Sequence, residues 1–152
     1  MIAVQQEDFD LGVEHKKLID STQSVGAIVT FTGLVRQIYE RHLNDELVQS
    51  LYLEHYPGMT EKKLMEISQK ASKKWPLLGS LVIHRYGKLN TSDQIVLAAA
   101  ASLHRRAAFE ATEFMMDYLK TSAPFWKSEI VNDSEIWVES KLEDEIAKKK
   151  WQ

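Results

Sequence analysis

Five cationic side chains have the types and placing to do chemistry in this sequence: Arg36, His104, Arg105, Lys120 and Lys127. His104-Arg105-Arg106 opens a long amphipathic segment, and Lys120 falls in its last turn. Lys127 follows just beyond Pro124-Phe125-Trp126, and Arg36 closes an apolar strand-like run. A helix start carries partial positive charge, so cations there cost up to about 1 kcal/mol each. Helix formation alone would not select them. Backbone N–H groups, the helix dipole and guanidinium groups at one place do make a receptor for phosphate or carboxylate. Lysine and histidine can add proton transfer or steady a developing oxyanion. A plain reading stands beside each of these residues. Arginines near a helix start can be solvated surface, Lys120 can complement the helix dipole, and Lys127 can point outward from a strand. The combination carries the functional reading, not any single position.

Several elements must position these residues. Ser102 to Lys127 reads as one amphipathic helix and its exit. Ala107, Ala111, Phe114, Met115, Tyr118 and Leu119 recur at three- and four-residue steps. Ser102 is the expected N-cap, and Pro124 requires the helix to stop near Thr121 or Ser122. Upstream, Ile2 to Gln5 reads as an edge strand and Leu11 to Ile19 as a short helix, with Ser21 to Ser24 as connector. Gly26 to Arg36 is the first strong strand, and Gly33 inside it marks a bulge or a close backbone approach. Gln37 to Glu46 is polar and lacks a clear period, which suits a mobile loop over a site. Val48 to His55 returns as a strand with Leu51 and Leu53 on one face. After Tyr56-Pro57-Gly58, a helix runs from Thr60 to Trp75 with Leu64, Ile67 and Ala71 inward. Ser80 to Tyr86 and Gln94 to Ala101 are further strands around a Gly87 to Ser92 connection, the second so apolar that both its faces should be covered. Phe125 to Val131 and Glu135 to Glu139 read as a hairpin around Asn132-Asp133-Ser134, and Leu142 to Gln152 as a charged helical tail. Strands mixed with helices in this order indicate α+β.

Composition narrows the chemistry. The 152 residues fit one domain spanning 1–152, and the net charge of −3 argues against a general nucleic-acid binder. With no cysteine, there is no thiolate nucleophile, persulfide carrier, disulfide or Cys-type zinc site. The first residues lack a basic and then apolar leader, and no apolar run approaches the ~18 residues a membrane span needs, so a cytoplasmic location is expected. The five histidines show no paired ligand spacing, and no phosphate-loop or dinucleotide fingerprint occurs. Neither a metal nor a cofactor is expected. Glu110 and Glu113 read as a solvated helical face.

Five segments carry a resemblance: Phe31-Thr32-Gly33-Leu34-Val35-Arg36, Leu53 to Met59 (LEHYPGM), Ile83-His84-Arg85, Ser102-Leu103-His104-Arg105, and Met116 to Lys127 (MDYLKTSAPFWK). In order, and over nearly the whole chain, they resemble the large, catalytic subunit of molybdopterin synthase. The resemblance implies an α/β-hammerhead fold with a mixed, mainly antiparallel sheet and a long central helix. It implies a homodimer with a small ubiquitin-like sulfur-carrier subunit at each outer end, a heterotetramer overall. The family is a sulfurtransferase of molybdenum cofactor biosynthesis. It converts cyclic pyranopterin monophosphate to molybdopterin, taking sulfur from a thiocarboxylate at the partner's C-terminal Gly-Gly. Carried over by motif, the functional arginine falls on Arg36, the His-Arg pair on His104 and Arg105, and the two lysines on Lys120 and Lys127. On that reading Lys120 is the acid/base or oxyanion stabiliser, Lys127 shares the role, and Arg36, His104 and Arg105 hold phosphate and pterin. The chain departs from the family pattern at Leu34, where a lysine is frequent, and at Arg106, to which no role is assigned. Two other classes fit the cations: a non-catalytic module docking a ubiquitin-like tail between Phe125 and Trp126, and a structural oligomer whose cations pair with carboxylates.

Overall fold

A computed structural model of the chain describes residues 1–36, 48–123, 125–131, 134–138 and 142–152, with backbone alone for 48, 49, 126, 129–131, 134–138 and 142. The loop expected at 37–46, Pro124, the Trp126 side chain and the hairpin tip at 132–133 lie outside the described residues. In chain order the elements are β1 (Ile2–Gln5), α1 (Leu11–Asp20), β2 (Ala27–Leu34), β3 (Val48–His55), α2 (Met59–Lys74), β4 (Leu77–Arg85), β5 (Gly87–Asn90), β6 (Gln94–Ser102), α3 (Arg105–Ser122), β7 (Phe125–Val131), β8 (Ser134–Val138) and α4 (Leu142–Lys149).

The strands form two four-stranded sheets, ordered β1-β4-β6-β2 and β5-β3-β7-β8. Among the described residues only β1 with β4 is parallel, so the arrangement is α+β, mixed and mainly antiparallel. Strand β6 lies inside the first sheet and is apolar on both faces. Val96, Ala98 and Ala100 join the core under α2 and α3, whereas Leu97, Ala99 and Ala101 join a second core with Phe9, Leu18, Leu81 and Ile83. Its alanines let α3 lie close to the sheet. The helix buries Ala108, Ala111, Phe114, Met115 and Leu119 there, each larger side chain contributing about 1.5–3 kcal/mol. Leu64, Ile67 and Ala71 of α2 complete this core, as their spacing predicts.

Several boundaries differ from the sequence reading for physical reasons. Gly87–Asn90 is not a plain connection: it is the edge strand β5, paired antiparallel with β3. Strand β4 starts at Leu77, three residues earlier than expected, because its first residues already pair with the end of β6. Ser102 is not the N-cap of α3. It is still the last residue of β6, and its hydroxyl donates to the Pro76 carbonyl at 3.2 Å, leaving His104 as the N-cap residue. The tail is not merely charged. Trp151 packs edge-on against Trp75 and Phe114, and its indole N–H donates to Asp117 at 2.6 Å. Glu110 and Glu113 are likewise engaged, Glu110 by the Trp75 indole and Arg106, Glu113 by Lys150. Among the described residues no helix is long and apolar enough to cross a membrane.

Gly33 does what its place in the strand suggests, and Gly26 adds a second close approach. At Gly33 the β2–β6 register shifts, and an added Cβ would sit 2.8 Å from Val96 Cγ1, so both bulge and close approach are present. Gly26 is tighter: an added Cβ would lie 2.0 Å from the Leu103 carbonyl oxygen, directly before the start of α3. Backbone cannot yield there as a flexible side chain would. Gly26→Ala should therefore cost about 3 kcal/mol, at the upper end of ordinary overpacking, and lower the melting temperature by roughly 5–10 °C. Calorimetry giving an unchanged melting temperature would refute this account of the α3 entrance.

Candidate functional site

Helix α3 runs back along β6, so its C-terminal end returns to where β6 begins. Lys120 occupies the last turn of α3 and is exposed. At the same end, β2 finishes against β6 with Leu34 opposite Gln94, and Val35 is pinned by its N–H to Asp93 O at 2.9 Å. Arg36 follows directly and is exposed. From the second sheet, β7 enters with Phe125 opposite His55 and Lys127 opposite Leu53. Directly paired residues share a face, so Lys127 lies on the face that carries the buried Leu53. That face packs with Val35, Leu89, Tyr86 and Ile95, which places the half-buried Lys127 towards the junction of the sheets. Arg36, Lys120 and Lys127 thus gather at one end of the fold. Each is engaged by other groups and none is a loose surface charge.

The junction is closed by a residue that the cationic set leaves out. Val82 and His84 share the face of β4 on which α2 packs beside α3, and the His84 ring stacks on Phe125 at 3.8 Å and 20°. Two residues on, Tyr86 meets His55 at 3.8 Å. Because His55 and Phe125 are cross-strand partners, four rings weld the first sheet to the second. His84 Nδ1 lies 2.8 Å from the Arg85 carbonyl, which can only accept, so Nδ1 carries the hydrogen. Burial, with a smaller push from the nearby positive charge of Lys120, brings the imidazole pKa down to about 4 against the help of that hydrogen bond. Arg85 itself serves the scaffold, donating to the Gln6 and Gln94 carbonyls at 3.0 and 2.8 Å. The signal for His84 was in the sequence, as a histidine two residues after Val82 on a strand whose faces are both apolar.

His104 and Arg105 do not join this group within one chain. They start α3, and the fifteen residues from Arg105 to Lys120 span about 22 Å of helix. Within one chain, Arg36 is at the Lys120 end of α3 and the His104–Arg105 pair is at the other. At that other end His104 makes no side-chain cap and the first turn has no acidic residue. Arg106 is spent on Glu110 at 2.9 Å, whereas His104 and Arg105 are exposed.

The His84 ring gives the fold a pH dependence of definite sign. The unfolded ring titrates near 6.5 and the folded one near 4, so the native state favours the neutral form. This contribution is fully present above pH 6.5 and is lost as pH falls from 6.5 towards 4, amounting to about 3 kcal/mol across the window. His84→Phe keeps the stack and should flatten the stability profile between those limits. Urea midpoints at pH 7 and pH 4.5 that fall equally in wild type and variant would contradict it.

The chain can be set beside proteins of known kind. Over 151 residues it is 48% identical to the molybdopterin synthase catalytic subunit of Vibrio cholerae serotype O1, covering 99% of this chain and 97% of that protein. Its fold matches the molybdopterin biosynthesis MoaE protein of Burkholderia ambifaria with a TM-score of 0.84 and 43% identity, over 99% and 97% of the two chains. More remotely, it matches a chain from a protein–protein complex of subunits 1 and 2 of the molybdopterin-converting factor of Helicobacter pylori. There the TM-score is 0.71 and the identity 20%, over 92% and 91% of the chains, a likeness of fold. Residues 4–122 match the MoaE protein family, and with these likenesses the chain belongs to that family.

Proposed function

We infer that this chain is a sulfurtransferase, the catalytic subunit of a molybdopterin synthase, and that residues 1–152 act as one catalytic domain. The observation that carries the reading is the gathering of Arg36, Lys120 and Lys127 at the sheet junction in a chain of this family. The substrate is cyclic pyranopterin monophosphate. The sulfur arrives as a thiocarboxylate on the C-terminal Gly-Gly of a small ubiquitin-like subunit, since a chain without cysteine has no sulfur carrier of its own. The complex of two subunits to which the Helicobacter pylori chain belongs supports such a partner. In each transfer the thiocarboxylate sulfur bonds to a side-chain carbon of the pterin and a carbon–oxygen bond there breaks. Water then cleaves the acyl–sulfur bond, so the carrier tail leaves as a carboxylate. Two transfers give the dithiolene. The departing oxygen needs a proton, which Lys120 supplies, while Lys127 steadies the negative charge around it. A cytoplasmic setting suits this chemistry, and the chain needs no oxidising compartment for its fold.

The anion site requires a second copy. Strand β2 is an edge of its sheet, and Phe31, Leu34, Leu103 and Phe109 are exposed on β2 and around the start of α3. An unpaired edge with an apolar rim is a template for another chain. A two-fold axis across β2 sets the start of one strand against the end of the other. His104 and Arg105 lie beside the start, because Ala27 pairs with Ser102; Arg36 lies beyond the end. The homodimer thus brings His104 and Arg105 of one copy to Arg36, Lys120 and Lys127 of the other. The phosphate is held across the interface, with a carrier subunit at each outer end.

Two measurements test this reading. Lys120→Ala should leave the fold intact and lower dithiolene formation by about 10²–10⁴-fold with saturating substrate and thiocarboxylated carrier. Near-normal single-turnover rates would favour instead a module that only docks the tail. The shared site calls for a mixed dimer of one Lys120→Ala and one Arg105→Ala chain, isolated through two tags. It retains one intact site and should recover roughly half of wild-type activity, while each parent homodimer stays at least about tenfold down. No recovery in the isolated mixed dimer would place Arg105 and Lys120 in the site of one chain and refute the shared site, and an undiminished Arg105→Ala homodimer would place Arg105 outside it.

A further inference from the structure

His84 meets three conditions that a merely structural ring need not meet together. Its plane is fixed by the stack on Phe125, and its tautomer by the bond from Nδ1–H to the Arg85 carbonyl. That carbonyl belongs to a residue anchored in turn on the Gln6 and Gln94 carbonyls, so the ring cannot turn or swap its hydrogen cheaply. Nε2 is left as a lone-pair acceptor on the opposite edge of the ring. The face of β4 that carries His84 is the one packed by α2 beside α3, Phe125 follows Lys120 by only five residues, and the Lys120 charge lies near enough to act on the ring. Fixed acceptor and lysine thus share one corner of the fold.

We propose that His84 is a positioning residue for Lys120, its Nε2 accepting a hydrogen bond from the ammonium and aiming it at the departing oxygen. The inference rests on the reading of Lys120 as the proton donor. A neutral acceptor suits that task better than a charged one. Lys150 shows the contrast within this chain: its ammonium pairs with Glu113 and Asp117, and those carboxylates, Glu113 first, push its pKa up. A lysine held that way keeps its proton. An imidazole of fixed tautomer gives direction without adding an anion that would bind the proton more tightly.

The test compares wild type, His84→Phe, His84→Gln and Lys120→Ala with thiocarboxylated carrier and cyclic pyranopterin monophosphate. Phenylalanine keeps the stack but has no acceptor, whereas the glutamine oxygen reaches the Nε2 position. His84→Phe should lose about 10- to 100-fold in kcat, with KM within about twofold of wild type, and His84→Gln should recover to within about fivefold. A purely structural ring predicts the reverse order, with phenylalanine the better substitute. Wild-type turnover in His84→Phe beside a disabled Lys120→Ala overturns this inference alone. Wild-type turnover in Lys120→Ala overturns the reading of Lys120 and this inference with it. Should His84→Phe not fold, the ¹⁵N resonance of His84 Nε2 in the otherwise native protein decides: it should move on Lys120→Met, and an unmoved resonance overturns the proposal.

Discussion

The fold depends on one strand having no polar face. β6 must be buried on both sides, and its run of alanines decides how. Small side chains on one face bring α3 close enough to bury a continuous stripe from Ala108 to Leu119, while the other face closes a separate core over α1. Thr112 shows how near the helix comes, its hydroxyl lying 3.2 Å from the Val29 carbonyl of the neighbouring strand. A larger residue at Ala98 or Ala100 would lift the helix and, with it, both of its ends. Where the backbone of His104, Arg105 and Lys120 lies over the sheet is set by that contact.

The second sheet reaches the first through rings rather than through hydrogen-bonded strands. His84 on Phe125 and Tyr86 on His55 make the joint, backed by Leu51, Leu53 and Leu89. Polar aromatic groups at such a joint have a use that leucines would not. They pack like apolar residues yet leave a ring nitrogen at the border where the lysines emerge. The chemistry and the weld between the sheets are therefore the same few side chains.

Much of this was legible in the sequence where one physical signal ruled. The stripe of α3, the inward Leu64, Ile67 and Ala71, the doubly covered β6 and the tight Gly33 all follow from period and side-chain size, and the structure places them so. What escaped had a long-range cause. Gly87–Asn90 reads as a turn because its pairing with β3 lies more than thirty residues away. Ser102 looks like a cap until Pro76, distant in sequence, claims its hydroxyl. Trp151 sits in a charged tail, and nothing local shows that α3 offers Asp117 and Phe114 to receive it. For the site, residue types and motifs pointed to the five cations, but spacing could not show that a rigid helix keeps two of them from the others. His84 escapes a reading by metal-ligand spacing, because its role comes from its place as a strand residue on a covered face.

That rigid helix has a consequence for how the chain can vary. α3 acts as a ruler between the pair at its start and the lysine at its end. Substitutions on its exposed face, where Phe109 and Glu113 lie, leave the ruler unchanged. A single inserted or deleted residue does not, since it turns everything beyond it by about 100° and shifts it by about 1.5 Å. The stripe would leave the core, or Lys120 would leave the His84 corner. Lineages of this chain should accordingly tolerate many replacements between Arg105 and Lys120 while keeping the number of residues there constant.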